Sequence, residues 1–240
     1  MNKYTTDSID TVRNVLKRKC NMIFDRGYDD NKIIDYIDKN KDYFVIRMND
    51  DRTFYFKNKK KKCYDVAIRR KGKVKMTLWF DDQDEYEVYV SHTKVKLPYN
   101  KKDYELVIVY GLSEERPLIL LTNRDIHSKE DVIKVVRLYF YRWRVVEYFR
   151  DKKQEYEFEN MRVRTLKSMN NLNLLLTIHL GHIGKLIEVM DKKLLTIKII
   201  LRSKSLRNTI LVWISQISRG IKEYQRIDRR DKYRQLELRL

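Results

Sequence analysis

The stretch from Tyr139 to Gln154, with the run Phe158 to Arg164 behind it, mixes aromatic, guanidinium, ammonium and carboxylate groups more richly than any other part of the sequence. Arg and Lys offer hydrogen-bond donors to phosphate oxygens, Arg through a planar fork. In a continuous helix at about 100° per residue, Tyr139, Arg142, Val146 and Lys153 share one face, within an arc of about 60°. Arg150 falls on that face too, whereas Glu147 stands about 80° from Tyr139, at its edge. Arg162 and Arg164 read equally well as phosphate contacts and as solvated charge. A second candidate is Asp25, which follows the short strand-like run Met22–Phe24 and opens the turn Asp25-Arg26-Gly27-Tyr28.

Charge favours the same partner class. The 240 residues carry 53 Lys and Arg against 34 Asp and Glu, a net charge of +19, which draws a soluble protein to polyanions, nucleic acid first among them. No stretch approaches the roughly 18 apolar residues of a membrane helix; Leu172 to Ile183 is interrupted by Asn173, Thr177, His179 and His182. No membrane partner is expected. The first twenty residues lack an apolar signal core, and Cys20 and Cys63 suit a reducing compartment, so a cytoplasmic, nucleoid-associated protein is expected. The four histidines are scattered; His179 and His182, three apart on an apolar helix, read as a core or boundary pair rather than a metal site. Trp79, Trp143 and Trp213 read as core anchors, with Trp79 also a candidate for stacking on an unpaired base.

These groups need a scaffold. Ile9, Val12 and Leu16 mark an amphipathic helix over about 7–19, and Asp29 or Asp30 can cap a helix carrying Ile33, Ile34 and Ile37. From Tyr43 to Asn123 the period becomes strand-like, with strands expected over 43–46, 53–56, 64–68, 74–80, 86–90, 95–97, 106–110 and 118–122. The turns of this block are basic; Lys59, Lys60 and Lys61 read either as phosphate contacts or as a solvated hairpin tip that blocks edge-to-edge aggregation. Ser128 and Glu130 stand in cap-like positions before a helical region, with helices expected over 129–155, 166–191, 194–204 and 206–240.

With these residues in place, the sequence resembles the DDE transposases of bacterial insertion sequences, in the subgroup whose last catalytic acid lies in a signature of Tyr, two residues, Arg, three residues, Glu, six residues, Lys. Tyr139, Arg142 and Lys153 match the signature, and Asp25 looks like the family's second catalytic aspartate at the end of a core strand. A mostly β segment lies between the two motifs, as in that subgroup. The resemblance implies an α/β fold: an incomplete RNase H-like core with a large mostly β insertion and a C-terminal helical region. The divisions expected are 1–42 for the partial core, 43–125 for the insertion, 126–190 for the core helices and 191–240 for the helical region. It also implies strand cleavage and transfer at DNA ends, with Mg²⁺ or Mn²⁺ as cofactor held by carboxylates, since hard divalent cations prefer oxygen ligands. Implied DNA contacts are Tyr139, Arg142, Arg150, Lys153, Arg162, Arg164 and Lys59 to Lys61. Implied partners are transposon ends and either a second copy or an intact transposase.

Two departures stand out. The position four after Arg142 and seven before Lys153 is Val146 where the family places Glu. Glu147 reads either as a catalytic and metal-ligating acid brought in by a local bulge, or as a surface acid paired along the helix. The family's first Asp lies on an earlier strand, yet only 24 residues precede Asp25, and Asp7 and Asp10 fall on an expected helix. The expectation is therefore an N-terminally truncated, catalytically impaired copy, or a DNA-binding remnant that competes with or regulates an intact relative.

Overall fold

The computed structural model describes residues 3–80, 84–154 and 156–189. The helices expected over 194–204 and 206–240, the division at 191 and Trp213 lie outside the described residues. The chain divides into two compact units, one ending at Arg142 and one starting at Trp143.

The first unit runs α1 (Lys3–Leu16), β1 (Asn21–Phe24), a 3-10 turn over Arg26–Tyr28, α2 (Asn31–Lys39) and β2 (Tyr43–Arg47). β1 and β2 pair in parallel, Phe24 opposite Ile46, with α2 as their crossover. Then follow β3 (Thr53–Phe56), β4 (Lys59–Lys62), α3 (Cys63–Ile68), β5 (Val74–Phe80), β6 (Asp84–Lys96), β7 (Asp103–Tyr110), β8 (Leu118–Thr122) and α4 (Lys129–Phe140). The eight strands make one sheet in the order β1-β2-β8-β7-β6-β3-β4, with β5 on β6. A mixed α/β architecture results, in which β1 and the strands of 43–125 belong to the same sheet.

Strand alternation assigns the layers. Phe44, Ile46, Leu106, Ile108, Ile119 and Leu121 face Ile9 of α1, Ile33, Ile34 and Ile37 of α2, and α3. Val45, Val107, Val109, Leu118 and Leu120 face Val132, Val135, Val136 and Tyr139 of α4.

Several local expectations need correction. Residues 64–68 are helical, because Cys63, Val66 and Ala67 bury one face at spacings of three and four. Lys59–Lys62 is a paired strand, not a hairpin tip; the tip is Lys57-Asn58, whose φ values of 49° and 60° suit a two-residue hairpin turn. The strands expected over 86–90 and 95–97 are one, β6, held by continuous pairing with β7 from Tyr89 to Lys96. Ser128 caps α4, with Asp131 rather than Glu130 completing the reciprocal capping box. The helix expected over 129–155 is two, α4 and α5 (Trp143–Gln154). No Gly or Pro stands between them; at Arg142 the amide instead bonds to the Tyr139 carbonyl, a tightened last turn.

The second unit holds α5, a 3-10 turn over Phe158–Asn160 and α6 (Leu166–Val189). Lys152 is buried between the two helices, where its Nζ donates to Asn173 Oδ1 at 2.7 Å and Thr177 Oγ1 at 2.9 Å. Its ammonium also sits 4.3 Å from the Tyr148 ring centroid.

Two polar residues tie the start of the sheet. Asp42, its side chain 2% exposed, takes the Arg13 guanidinium at 2.7 Å and the Cys20 amide at 2.9 Å, linking α1, β1 and β2. Asn123 donates to Asp38 Oδ1 and the Asp42 carbonyl, and accepts the Phe44 amide at 3.0 Å, linking β8 to the same corner. Breaking a buried pair leaves its partners unsatisfied, and Arg13 retains partial contact with water. Asp42→Ala should therefore lower the unfolding free energy by about 3 kcal/mol, the lower end for buried pairs. Denaturant titration of this variant against the native chain checks the value.

Candidate functional site

Asp25 directly follows β1 in extended conformation and caps the 3-10 turn, one carboxylate oxygen accepting the Arg26 amide at 2.8 Å. Alternation then decides its direction. Ile23 and Val45 pack on the α4 side of the sheet, so Asp25 and Arg47, each two residues further along adjacent parallel strands, belong to that side too. α4 ends there, and Arg142, just beyond its last turn, brings Nη1 to 3.4 Å from Asp25 Oδ2. The Arg142 guanidinium lies 5.6 Å from the centroid of the Tyr139 ring, within cation–π range.

Tyr139 is the buried floor of this cluster. It is 2% exposed, while the Asp25 side chain is 47% exposed and that of Arg142 22%. Burial pushes the Tyr139 phenol up from its ordinary range and Asp25 pushes the same way, while Arg142 and Arg47 pull it down. Asp25, Arg47, Tyr139 and Arg142 thus share one electrostatic site at the C-terminal ends of two parallel strands, where open α/β sheets commonly bind ligands.

Arg47 was not among the residues singled out by motif. The signal was available: a basic residue closes the strand following the Asp25 unit, and a parallel βαβ unit sets its two strand ends side by side.

Of the other phosphate and metal candidates, Lys59 to Lys61 lie on β4 and the rest belong to the second unit. The helical break means that face arithmetic holds within α4 and within α5 but does not carry from Tyr139 to Lys153. Within the second unit, Lys153 pairs with Glu159 at 2.6 Å, Val146 is 43% exposed, and Arg150, Arg162 and Arg164 are exposed. Glu147 lies on α5; its side chain, like that of Trp79, is outside what is described. Lys59 and Lys60 are exposed on β4, and Lys61 lies 5.8 Å from the Phe56 ring centroid.

Two divalent ions need several carboxylate oxygens in one place. The cluster supplies one carboxylate, already facing a guanidinium, and no group of three or more His, Cys, Asp or Glu suited to a metal occurs among the described residues. These residues do not fit a two-ion site. Their donors suit an anion such as a phosphodiester.

Among the described residues no helix is long and apolar enough to cross a membrane. Residues 2–180 match the family described as Transposase DDE domain. No curated protein matches the chain.

The phenol shift has a defined pH consequence. A Tyr whose folded pKa is raised keeps its proton where the unfolded chain loses it, so its contribution is complete below about pH 10 and is lost as pH rises through the folded value. Tyr36, Tyr99, Tyr104 and Tyr110 shift in the same direction as Tyr139. Chemical denaturation from neutral to strongly alkaline pH should show stability falling above about pH 10, with a shallower fall in Tyr139→Phe.

Proposed function

Since the chain belongs to the transposase DDE domain family, we propose that it engages DNA ends in transposition, with Arg142 and Arg47 holding a backbone phosphate beside Asp25, and that its own metal-dependent cleavage and joining are impaired. The observation that carries this reading is the 3.4 Å pair between Asp25 and Arg142 at the end of β1. A phosphodiester can replace the carboxylate on the guanidinium, like for like in charge and in fork geometry. Tyr139 supports this exchange as a rigid ring under Arg142, which keeps the guanidinium aimed when its anion changes.

Impairment follows from the donor set. Val146 presents an alkyl group where the family signature carries Glu, and Asp25 is the carboxylate that the described site provides. Even disturbing the groups that support metal ligands costs roughly 10 to 100-fold, and replacing a ligand itself costs more. The same lack of carboxylates favours a second role, in which the chain occupies the ends used by an intact transposase or pairs with that enzyme. Arg150, Lys153, Arg162, Arg164 and Lys59 to Lys61 would add backbone contacts, which position DNA without reading its sequence.

Binding and nicking of a transposon-end duplex test this together. The chain should bind with an affinity that falls steeply with salt, and Arg142→Ala should weaken binding by roughly 10 to 100-fold, the worth of a charge-assisted hydrogen bond. Nicking with Mg²⁺ or Mn²⁺ should stay at background. Metal-dependent nicking that Asp25→Ala abolishes would overturn the impairment, and binding indifferent to Arg142→Ala would overturn the phosphate site.

A further inference from the structure

We propose that the opposite end of the same sheet carries a second, sequence-independent site for the phosphate backbone of duplex DNA, formed where α1 and α2 end and β1 and β2 begin. It goes beyond the Asp25 site and rests on the reading that DNA is the partner. An open pocket of about 280 Å³ lies here, lined by Arg13, Asn14, Lys17, Arg18, Lys19 and Asn40, with Asp42 at its base. The four residues of β1 separate it from Asp25 by roughly 13 Å at about 3.3 Å per residue.

Its charge balance is one-sided. The acid in the lining, Asp42, is 2% exposed and directed inward, to the Arg13 guanidinium and the Cys20 amide. Asp10 is likewise engaged, accepting the Tyr36 hydroxyl at 2.6 Å beside Arg13 at 3.8 Å. Lys17, Arg18 and Lys19 are exposed on the outer rim, and Lys39 and Lys41 flank Asn40 with their side chains exposed as well. A phosphate arriving at the rim meets cations while Asp42 faces the interior and Asp10, 45% exposed, is held by the Tyr36 hydroxyl.

Helix ends alone do not account for this cluster. Cations at a helix C-terminus complement its dipole only within the last turn, which covers Lys17 after α1 and Lys39 in α2. Lys19 and Arg124 lie beyond both helices, at the strand ends. They approach the ring of Tyr43 at 5.6 and 4.5 Å, and Arg124 also donates to Asn21 Oδ1. Ring and amide hold the Arg124 guanidinium in place, and ordered cations cost less entropy to dock on a phosphate than free ones. The left-handed backbone at Lys17, φ 48°, ends α1 and turns Arg18 and Lys19 onto the rim.

The test measures fluorescence anisotropy of a labelled random-sequence duplex with the full chain across about 50 to 200 mM salt. Neutralising Lys17, Arg18 and Lys19 together to Gln should reduce the slope of log K against log salt by about 2 to 3, and Lys19→Gln alone by about 1. Thermal unfolding should stay unchanged, since all three side chains are exposed. Combined with Arg142→Ala, the triple change should add independently, as expected of separate sites. Duplex binding with an unaltered slope in the triple variant would overturn the second site while leaving the Asp25 reading intact. Absence of duplex binding by the unaltered chain, or a strong preference for RNA, would overturn both.

Discussion

Every side chain of β8, Leu118 to Thr122, is buried, and β7 alternates Leu106 and Ile108 against Val107 and Val109 on opposite faces. Such strands cannot leave one face in water, so helices must cover both. Once α1 and α2 take one face and α4 the other, the period of two fixes the side of every residue along β1 and β2. A one-residue slip would send Asp25 to the α2 side, away from Arg142 and Tyr139. The site depends on register before it depends on any polar contact.

Charge is then sorted by depth. Asp42 faces Arg13, and Glu105, 3% exposed, accepts His92 at 3.1 Å. Asp38 accepts the Tyr104 hydroxyl and lies 3.6 Å from Lys102. Asp29, its side chain 1% exposed, faces Arg52 and accepts the Asn49 amide. Buried acids need such partners to repay their lost hydration. They engage Arg13, Arg52 and Lys102, whereas Lys17, Arg18, Lys19, Lys59 and Lys60 stay exposed as a polyanion-attracting excess.

Much of this scaffold was legible in the sequence. Ile33, Ile34 and Ile37 after a capping Asp announce α2, and the runs at 43–46 and 118–122 announce β2 and β8, because hydrophobic period and capping chemistry are local. α3 was hidden because Tyr64 to Ile68 reads as a strand until Cys63 is counted in its buried stripe. The break at Arg142 was hidden for a different reason: no breaker residue marks it, and the Arg142 side chain pairs with Asp25, far away in sequence. Asp25 and Arg142 could be named from motifs, but Arg47 requires knowing that β1 and β2 are parallel neighbours.

Local charge counting bears on what the Asp25 site is built to hold. Two guanidiniums, Arg47 and Arg142, and one carboxylate, Asp25, act on the Tyr139 ring. A pair of divalent cations would add four positive charges beside these guanidiniums, at an electrostatic cost that carboxylate ligands offset. In the proposed reading, the guanidinium facing Asp25 turns to a DNA phosphate, matched to it in charge and geometry, when the Asp25 carboxylate serves as a ligand.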